Sequence, residues 1–413
     1  MGKVLIKNIS LLAGTASGPR PAVSGDKMDS LSSLSESWLI YDDRSGLIDS
    51  FGVGKLPDGD FQTIDAHGGI VMPSYCDSHT HIVYSGSRER EFLDKINGLS
   101  YEEIAANGGG ILNSSDRVAL ASEDELYRES KERLDEVVSK GTGAIEIKSG
   151  YGLSTESELK MLRVIARLKE STDAVVRATF LGAHAVGRAY AGRQSEYVDM
   201  LISEMLPAVA AEGLADFVDV FCDKGFFSVN DTDRILTAAA GYGMRPKIHA
   251  NELANSGGVQ IGIKHDALSV DHLERGEAAE IKALAESSTI PTALPGASFF
   301  LNMPYAPAKM MVEAGLPLAL ASDYNPGSSP SGDMRFVMAL ACIKMRLTPS
   351  QAFNAVTVNG AHAMGVGDIC GSIAPGMRAN LIITKPLGAF EFIPYAYNTP
   401  YISHLVINGK QID

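Results

Sequence analysis

The sequence predicts an α/β fold, a (β/α)8 TIM-like barrel carrying a small β domain built from both chain termini. Three observations predict it. From Gly69 to about Gly365, short apolar runs alternate with longer amphipathic ones, the pattern of repeated strand-helix units around a parallel sheet. Eight candidate strands can be counted there, the number that closes a barrel. The two ends of the chain differ in texture, with strand-like alternation and turn signals instead of helices. A doubly wound open sheet shares the barrel's local signature, and period alone does not choose between them.

In chain order, residues 1–12 alternate like a strand, and residues 38–42 and 46–52 read as a hairpin. The stretch 15–37, rich in Ser, Gly and Pro, reads as a surface loop. Barrel strands are expected at 70–75, 144–148, 175–181, 217–222, 246–250, 267–271, 289–294 and 316–321. Helices are expected at 156–169, 195–211, 232–242, 277–286 and 305–314, with another at 350–364. Residues 379–383 and 405–412 return to β texture, and Asn408-Gly409 is a strong turn signal. The expected division is a composite β domain of residues 1–65 and 366–413 and a barrel of residues 66–365.

Composition narrows the function. With 413 residues, 45% of them hydrophobic and 21% charged, the chain has the profile of a globular protein with a large core. A net charge of −14, with no Lys/Arg-rich run, disfavours nucleic acid and acidic membrane surfaces as partners. Four scattered cysteines, with no C-x-x-C pair, argue against a disulfide scaffold or zinc ribbon and fit a reducing compartment. The apolar run 4–6 is too short for a signal-peptide core, and Ile6 stands where a myristoylation signal needs Ser or Thr. The expectation is a cytoplasmic protein.

The histidines carry the chemistry. His79 and His81, in Asp77-Ser78-His79-Thr80-His81, are two residues apart on an extended chain and can offer two imidazoles to one metal ion. Alone, that pair is a weak signal, since two surface histidines at a strand end are commonplace. Five of the nine histidines, however, lie at or just beyond predicted strands: His79, His81, His184, His249 and His272. Asp323 follows the eighth. In a barrel all these positions open onto the C-terminal mouth, where such folds place their chemistry. His79, His81, His249 and Asp323 form a nitrogen-rich ligand set suited to one Zn2+ or Fe2+ and not to Ca2+. His67, His265, His362 and His404 fall in a turn, a helix end, a helix and the terminal β region, and are given no role. Glu252, three residues after His249, can reach the same mouth, although a glutamate at a helix entry is the plainer explanation.

The run Asp77-Ser78-His79-Thr80-His81 after Met72-Pro73 resembles the metal motif of the amidohydrolase superfamily. Lys148-Ser149-Gly150-Tyr151-Gly152-Leu153, Phe180-Leu181-Gly182-Ala183-His184-Ala185 and Asp323-Tyr324-Asn325-Pro326-Gly327-Ser328-Ser329-Pro330 narrow the likeness. Together with Arg88, Tyr101-Glu102-Glu103-Ile104 and Gly108-Gly109-Gly110, they resemble its imidazolonepropionase family over residues 65 to 385. That resemblance implies a hydrolase opening the ring of 4-imidazolone-5-propanoate to N-formimidoyl-L-glutamate in histidine degradation, with one bound zinc or iron. It implies substrate contacts at Arg88, Tyr101, Tyr151, His184, Glu252, Asn325, Gly327 and Ser328, and catalytic roles for Asp323, His272 and Glu252.

Each role has a plainer competitor. Arg88 sits in Ser87-Arg88-Glu89-Arg90-Glu91, which also suits a helix start with internal ion pairs. Tyr101 at a helix start often only packs, Tyr151 is otherwise a turn aromatic, and a Pro-Gly-Ser-Ser turn needs no function. Lys148 resembles the metal-bridging lysine of other amidohydrolases, but a mononuclear site needs no bridge. Departures from the family pattern fall at Tyr75-Cys76, Val186-Gly187 and the long stretch 15–37. Another amidohydrolase, such as a guanine-type deaminase, stays open, as does a non-catalytic barrel marked by loss of a ligand. The expected partner is the small-molecule substrate, with no nucleic acid and no membrane, and a homodimer is left open.

Overall fold

In a computed structural model, which describes residues 2–99, 103 and 109–412, eight strands line the barrel. They are β1 (Tyr75–Thr80), β2 (Thr142–Lys148), β3 (Val175–Ala183), β4 (Phe217–Cys222), β5 (Arg245–Ala250), β6 (Ser269–His272), β7 (Ile290–Ala293) and β8 (Ala319–Leu320). Each pairs in parallel with the next in chain order. Between β8 and β1 the circle is joined past the strand ends, where His81 N–H donates to Tyr324 C=O at 2.9 Å and Asp323 N–H to His79 C=O at 3.0 Å. The barrel, not the open sheet, is therefore the architecture. Its strands are almost wholly buried on both faces, as parallel strands wrapped in helices must be.

The helices follow their sequence signals. Thr155–Glu170 begins at Ser154, whose hydroxyl accepts from Ser157 N–H. It buries Met161, Leu162, Ile165 and Leu168 on one face. Two departures have local causes. The single helix expected at 195–211 runs as Gln194–Met200 and Leu206–Glu212 with a π segment at Leu201–Met205 between them; Pro207 removes a donor from this stretch. The helix expected at 350–364 is split into Pro349–Val356 and Val358–Ala363, because Thr357 leaves helical angles at φ −119°, ψ −94°.

The termini meet in a second eight-stranded sheet. Its order is Lys410–Ile412, Ile402–Ile407, Leu381–Thr384, Ile70–Pro73, Lys3–Ala13, Ser33–Asp42 and Leu47–Val53, with Gln62–Asp65 also pairing Lys3–Ala13. The apolar run expected as the first barrel strand is thus shared. Ile70–Pro73 belongs to the terminal sheet, Ser74 turns the chain, and Tyr75–Thr80 begins the barrel.

The stretch 15–37 is only in part the surface loop its composition suggests: many of its residues are exposed, but others are anchored in the core. Met28 is fully buried, and Ser33–Asp42 is already strand. The backbone is held by side chains under the barrel's N-terminal end. Asn359 accepts from Val23 N–H at 2.7 Å and donates to Val23 C=O at 2.8 Å, and Asn354 donates to Met28 C=O at 2.8 Å. These partners lie more than 300 residues away in sequence, beyond the reach of any local composition rule.

Candidate metal centre and active site

At the C-terminal mouth, β1 and β5 present His79, His81 and His249, and the segment after β8 presents Asp323. His79 Nε2 lies 3.2 Å from His81 Nε2, which lies 3.4 Å from His249 Nε2. Asp323 Oδ1 is 3.6 Å from His79 Nε2 and 3.7 Å from His81 Nε2. All four side chains are buried. Burial, reinforced by Lys148 and His249, holds His79 well below the usual imidazole range, and burial with His184 does the same for His81. Neutral imidazoles keep a lone pair for a metal. Such nitrogens crowded onto one point beside a carboxylate oxygen repel one another unless a cation sits among them, so the donor set fits a divalent metal.

Backbone strain aims two of the groups. Asp323 has φ 55° and His272 φ 84°, both in the region that side chains disfavour. Asp77 anchors the first from below, accepting from Ser322 N–H at 2.9 Å and from Ser322 Oγ at 2.5 Å. His272 Nε2 lies 3.6 Å from Glu252 Oε2, and its Nδ1 lies 3.4 Å from Glu274 Oε1. Burial alone would depress this imidazole, but Glu252 and Glu274 outweigh it and hold His272 well above the usual range. Burial pushes the Glu252 carboxyl up to about 7 against the pull of His272. The loop carrying Glu252 is set by Asp223, whose carboxylate accepts the backbone N–H groups of Glu252, Leu253 and Ala254 at 2.8, 2.9 and 3.1 Å.

A cavity of about 310 Å3 opens at these donors, lined by His81, His249, His272 and Asp323 together with Arg88, Asn325, Gly327 and Ser328. Tyr151, His184 and Glu252 complete the set brought together from the sequence; Tyr101 lies outside the described residues. The His184 ring stacks on His81 at 5.2 Å, and its Nδ1 lies 3.0 Å from Gly150 C=O. Asn325 uses its amide locally, taking the N–H groups of Gly327 and Ser328 at 2.8 Å each and donating to Asp323 C=O at 2.6 Å. It therefore shapes the loop after β8. Ser328 Oγ donates to Asp323 Oδ2 at 3.2 Å.

Arg88 combines both of its sequence readings. Its Nε and Nη2 donate to Glu91 Oε2 at 2.8 and 2.5 Å, as in a helix start with ion pairs, yet the guanidinium also faces the cavity. A Cβ on Gly327 would stand 2.2 Å from Arg88 Nη1, so any larger residue there would push the guanidinium aside. The sequence reading gave Glu91 only as part of a charged helix start, and it missed the apolar wall of Phe221, Phe226, Leu301 and Met303. It also missed Asp219 and Asp271 beneath the donors. Their signal was present in the sequence: an acidic residue inside an otherwise apolar strand has to be paired.

A barrel with donors at its mouth defines a class of metal-dependent hydrolases, and the chain belongs to the amidohydrolase family, whose characteristic sequence matches residues 70–412. It stands among the imidazolonepropionases. The imidazolonepropionase of Christiangramia forsetii is 52% identical over 412 residues, covering 99% of this chain and 100% of that one. That of Alkaliphilus oremlandii is 39% identical over 415 residues, covering 98% and 97%. Among solved structures, the fold is similar to atrazine chlorohydrolase of Arthrobacter aurescens complexed with zinc, at TM-score 0.72, 15% identity and coverage of 99% and 94%. An adenosine deaminase of Xanthomonas campestris with bound zinc gives TM-score 0.71 at 16% identity, covering 99% and 92%. The chain is a hydrolytic enzyme. No helix among the described residues is long and apolar enough to cross a membrane.

Proposed function

We propose that the enzyme opens the ring of 4-imidazolone-5-propanoate to N-formimidoyl-L-glutamate. The observation that carries this reading is one cavity lined by both the metal donors and a half-buried arginine, able to take a small ring bearing a carboxylate tail. The full-length likeness to imidazolonepropionases supports it. His79, His81, His249 and Asp323 would hold Zn2+ or Fe2+, which would lower the pKa of a water from about 16 towards about 7.

The chain's own groups do the rest. Arg88, kept in place by Glu91, receives the propanoate through charge-assisted hydrogen bonds. Tyr151 and His184 border the ring, and Gly327 and Ser328 the tail. Asp323 takes a proton from the attacking water, the water oxygen bonds to the lactam carbonyl carbon, and the ring C–N bond breaks as nitrogen is protonated. His272, held protonated by Glu252 and Glu274, donates to the developing oxyanion. Four cysteines, all free thiols, fit a cytoplasmic enzyme of metabolism.

The test is to add 4-imidazolone-5-propanoate to metal-analysed protein while following its ultraviolet absorbance and free ammonia. Loss of absorbance without ammonia supports ring opening; ammonia release from a heterocyclic amine, with no action on the imidazolone, would make it a deaminase.

A further inference from the structure

Below the metal donors the barrel interior holds five ionic side chains, none more than 1% exposed: Glu146, Lys148, Asp219, Lys247 and Asp271. Each buried ion costs several kcal/mol unless it is paired and hydrogen-bonded. Here every one is paired. Lys148 Nζ lies 2.6 Å from Glu146 Oε1, 2.9 Å from Asp219 Oδ2 and 3.7 Å from Asp271 Oδ2. Lys247 pairs with the other oxygen of Glu146 and donates to the carbonyls of Ser78 and Ala363 at 2.9 and 3.0 Å.

This cluster reaches two of the imidazoles from behind. Asp271 Oδ2 is hydrogen-bonded to His79 Nδ1 at 2.7 Å, and Asp219 Oδ2 lies 2.9 Å from His249 Nδ1 as an ion-pair contact whose angles fall short of a hydrogen bond. Asp219 Oδ1 also accepts His249 N–H at 3.1 Å, and Ser269 Oγ donates to Asp271 Oδ1 at 2.5 Å. We propose that Asp219 and Asp271 are positioning residues for the metal, each holding the proton of one imidazole on Nδ1 and aiming its Nε2 at the centre, with Lys148 as the strut between them. This rests on the metal site proposed above.

The reason is tautomeric. A neutral imidazole carries one N–H, and a carboxylate at Nδ1 takes it, leaving the Nε2 lone pair for the ion. The other tautomer would set a nitrogen lone pair against a carboxylate oxygen and push N–H groups into the donor cluster. His81 differs from both: no carboxylate ion pair reaches its Nδ1 among the described residues, and its ring rests on His184.

The experiment strips the metal from wild type, Asp271→Asn and Asp219→Asn and titrates each with Zn2+ against a chromophoric chelator, alongside the thermal midpoints of the metal-free forms. Each variant is expected to bind Zn2+ roughly 10–100-fold more weakly than wild type. Unchanged affinity, with only the metal-free midpoint lowered, would assign the pair to structure and overturn the proposal. Wild type that takes up no Zn2+ would overturn the metal site itself, a different result from tight wild-type binding with unaffected variants. If neither aspartate variant folds, Ser269→Ala removes only one hydrogen bond to Asp271; weaker Zn2+ binding supports the proposal and wild-type affinity overturns it.

Discussion

His272 and Glu252 show what a few ångströms of burial do to ordinary side chains. His272→Asn keeps the bulk of the ring's polar edge but no positive charge, so kcat is expected to fall by roughly 10²–10⁴ with bound metal unchanged. Turnover close to wild type in metal-replete protein would leave His272 a structural group. Its neighbour sets the pH response. Burial lifts the Glu252 carboxyl to about 7, so it passes from carboxylate to acid as pH falls through neutrality. The carboxylate is the form that keeps His272 charged, and kcat/KM should therefore decline on the acid side of that value, the limb belonging to the pair. Glu252→Gln should lose the limb along with most of the rate; a limb that survives unchanged belongs to another group. At this scale much was legible. His79, His81, His249, His272 and Asp323 could be found because strand ends of a barrel share one mouth. Asn325 was legible only as a loop residue. What it does with its amide depends on turn geometry that spacing does not encode.

Segments were legible where the signal is periodic and illegible where distant side chains decide. The residues expected at 217–222 are strand Phe217–Cys222, because apolar β-branched and aromatic runs of that length have one good solution in a parallel sheet. The first barrel strand was misplaced, since the apolar run is Ile70–Pro73 while Tyr75–Thr80, equally buried, carries Asp77, Ser78, His79 and Thr80, and only Ser74 marks the change of sheet. The strap at 15–37 gave no periodic signal at all. Its order comes from Asn354 and Asn359, and that yields a stability prediction. Asn359 serves Val23 N–H, Val23 C=O and Leu318 C=O, all buried. Asn359→Ala strands all three, at about 1–3 kcal/mol for each buried group left without a partner. Local relaxation recovers part of this. Urea unfolding should show a loss of at least about 2 kcal/mol, while kcat/KM of the folded fraction stays at the wild-type value because the strap lies at the opposite end of the barrel. A change in kcat/KM without a change in midpoint would mean that the strap communicates with the mouth.

Across the whole molecule, the barrel and the terminal sheet are joined by more than chain continuity. Ile70 and Met72 from the sheet, and Ile382, Leu405 and Ile407 from the C-terminal strands, belong to the same buried cluster as Tyr75, Ile145, Ile147 and Val220 of the barrel. Gly143, beside this seam, has no room for a side chain: a Cβ there would meet Ser74 Oγ at 2.0 Å. Unfolding the terminal sheet would pull Ile70–Pro73 out of register and with it β1, the strand that carries His79. One cooperative transition is therefore expected, not two. The protein carries its own reporter, since its single tryptophan, Trp38, lies in the terminal sheet on Ser33–Asp42 while most of the helices surround the barrel. Tryptophan fluorescence and helical circular dichroism should give the same urea midpoint in the metal-free protein. Adding Zn2+ should move both upward together, because a ligand that binds only the folded barrel stabilises everything that unfolds with it. A fluorescence transition at lower urea, with helical signal intact and no response to Zn2+, would show that the terminal sheet melts alone and that the shared cluster does not couple it to the site.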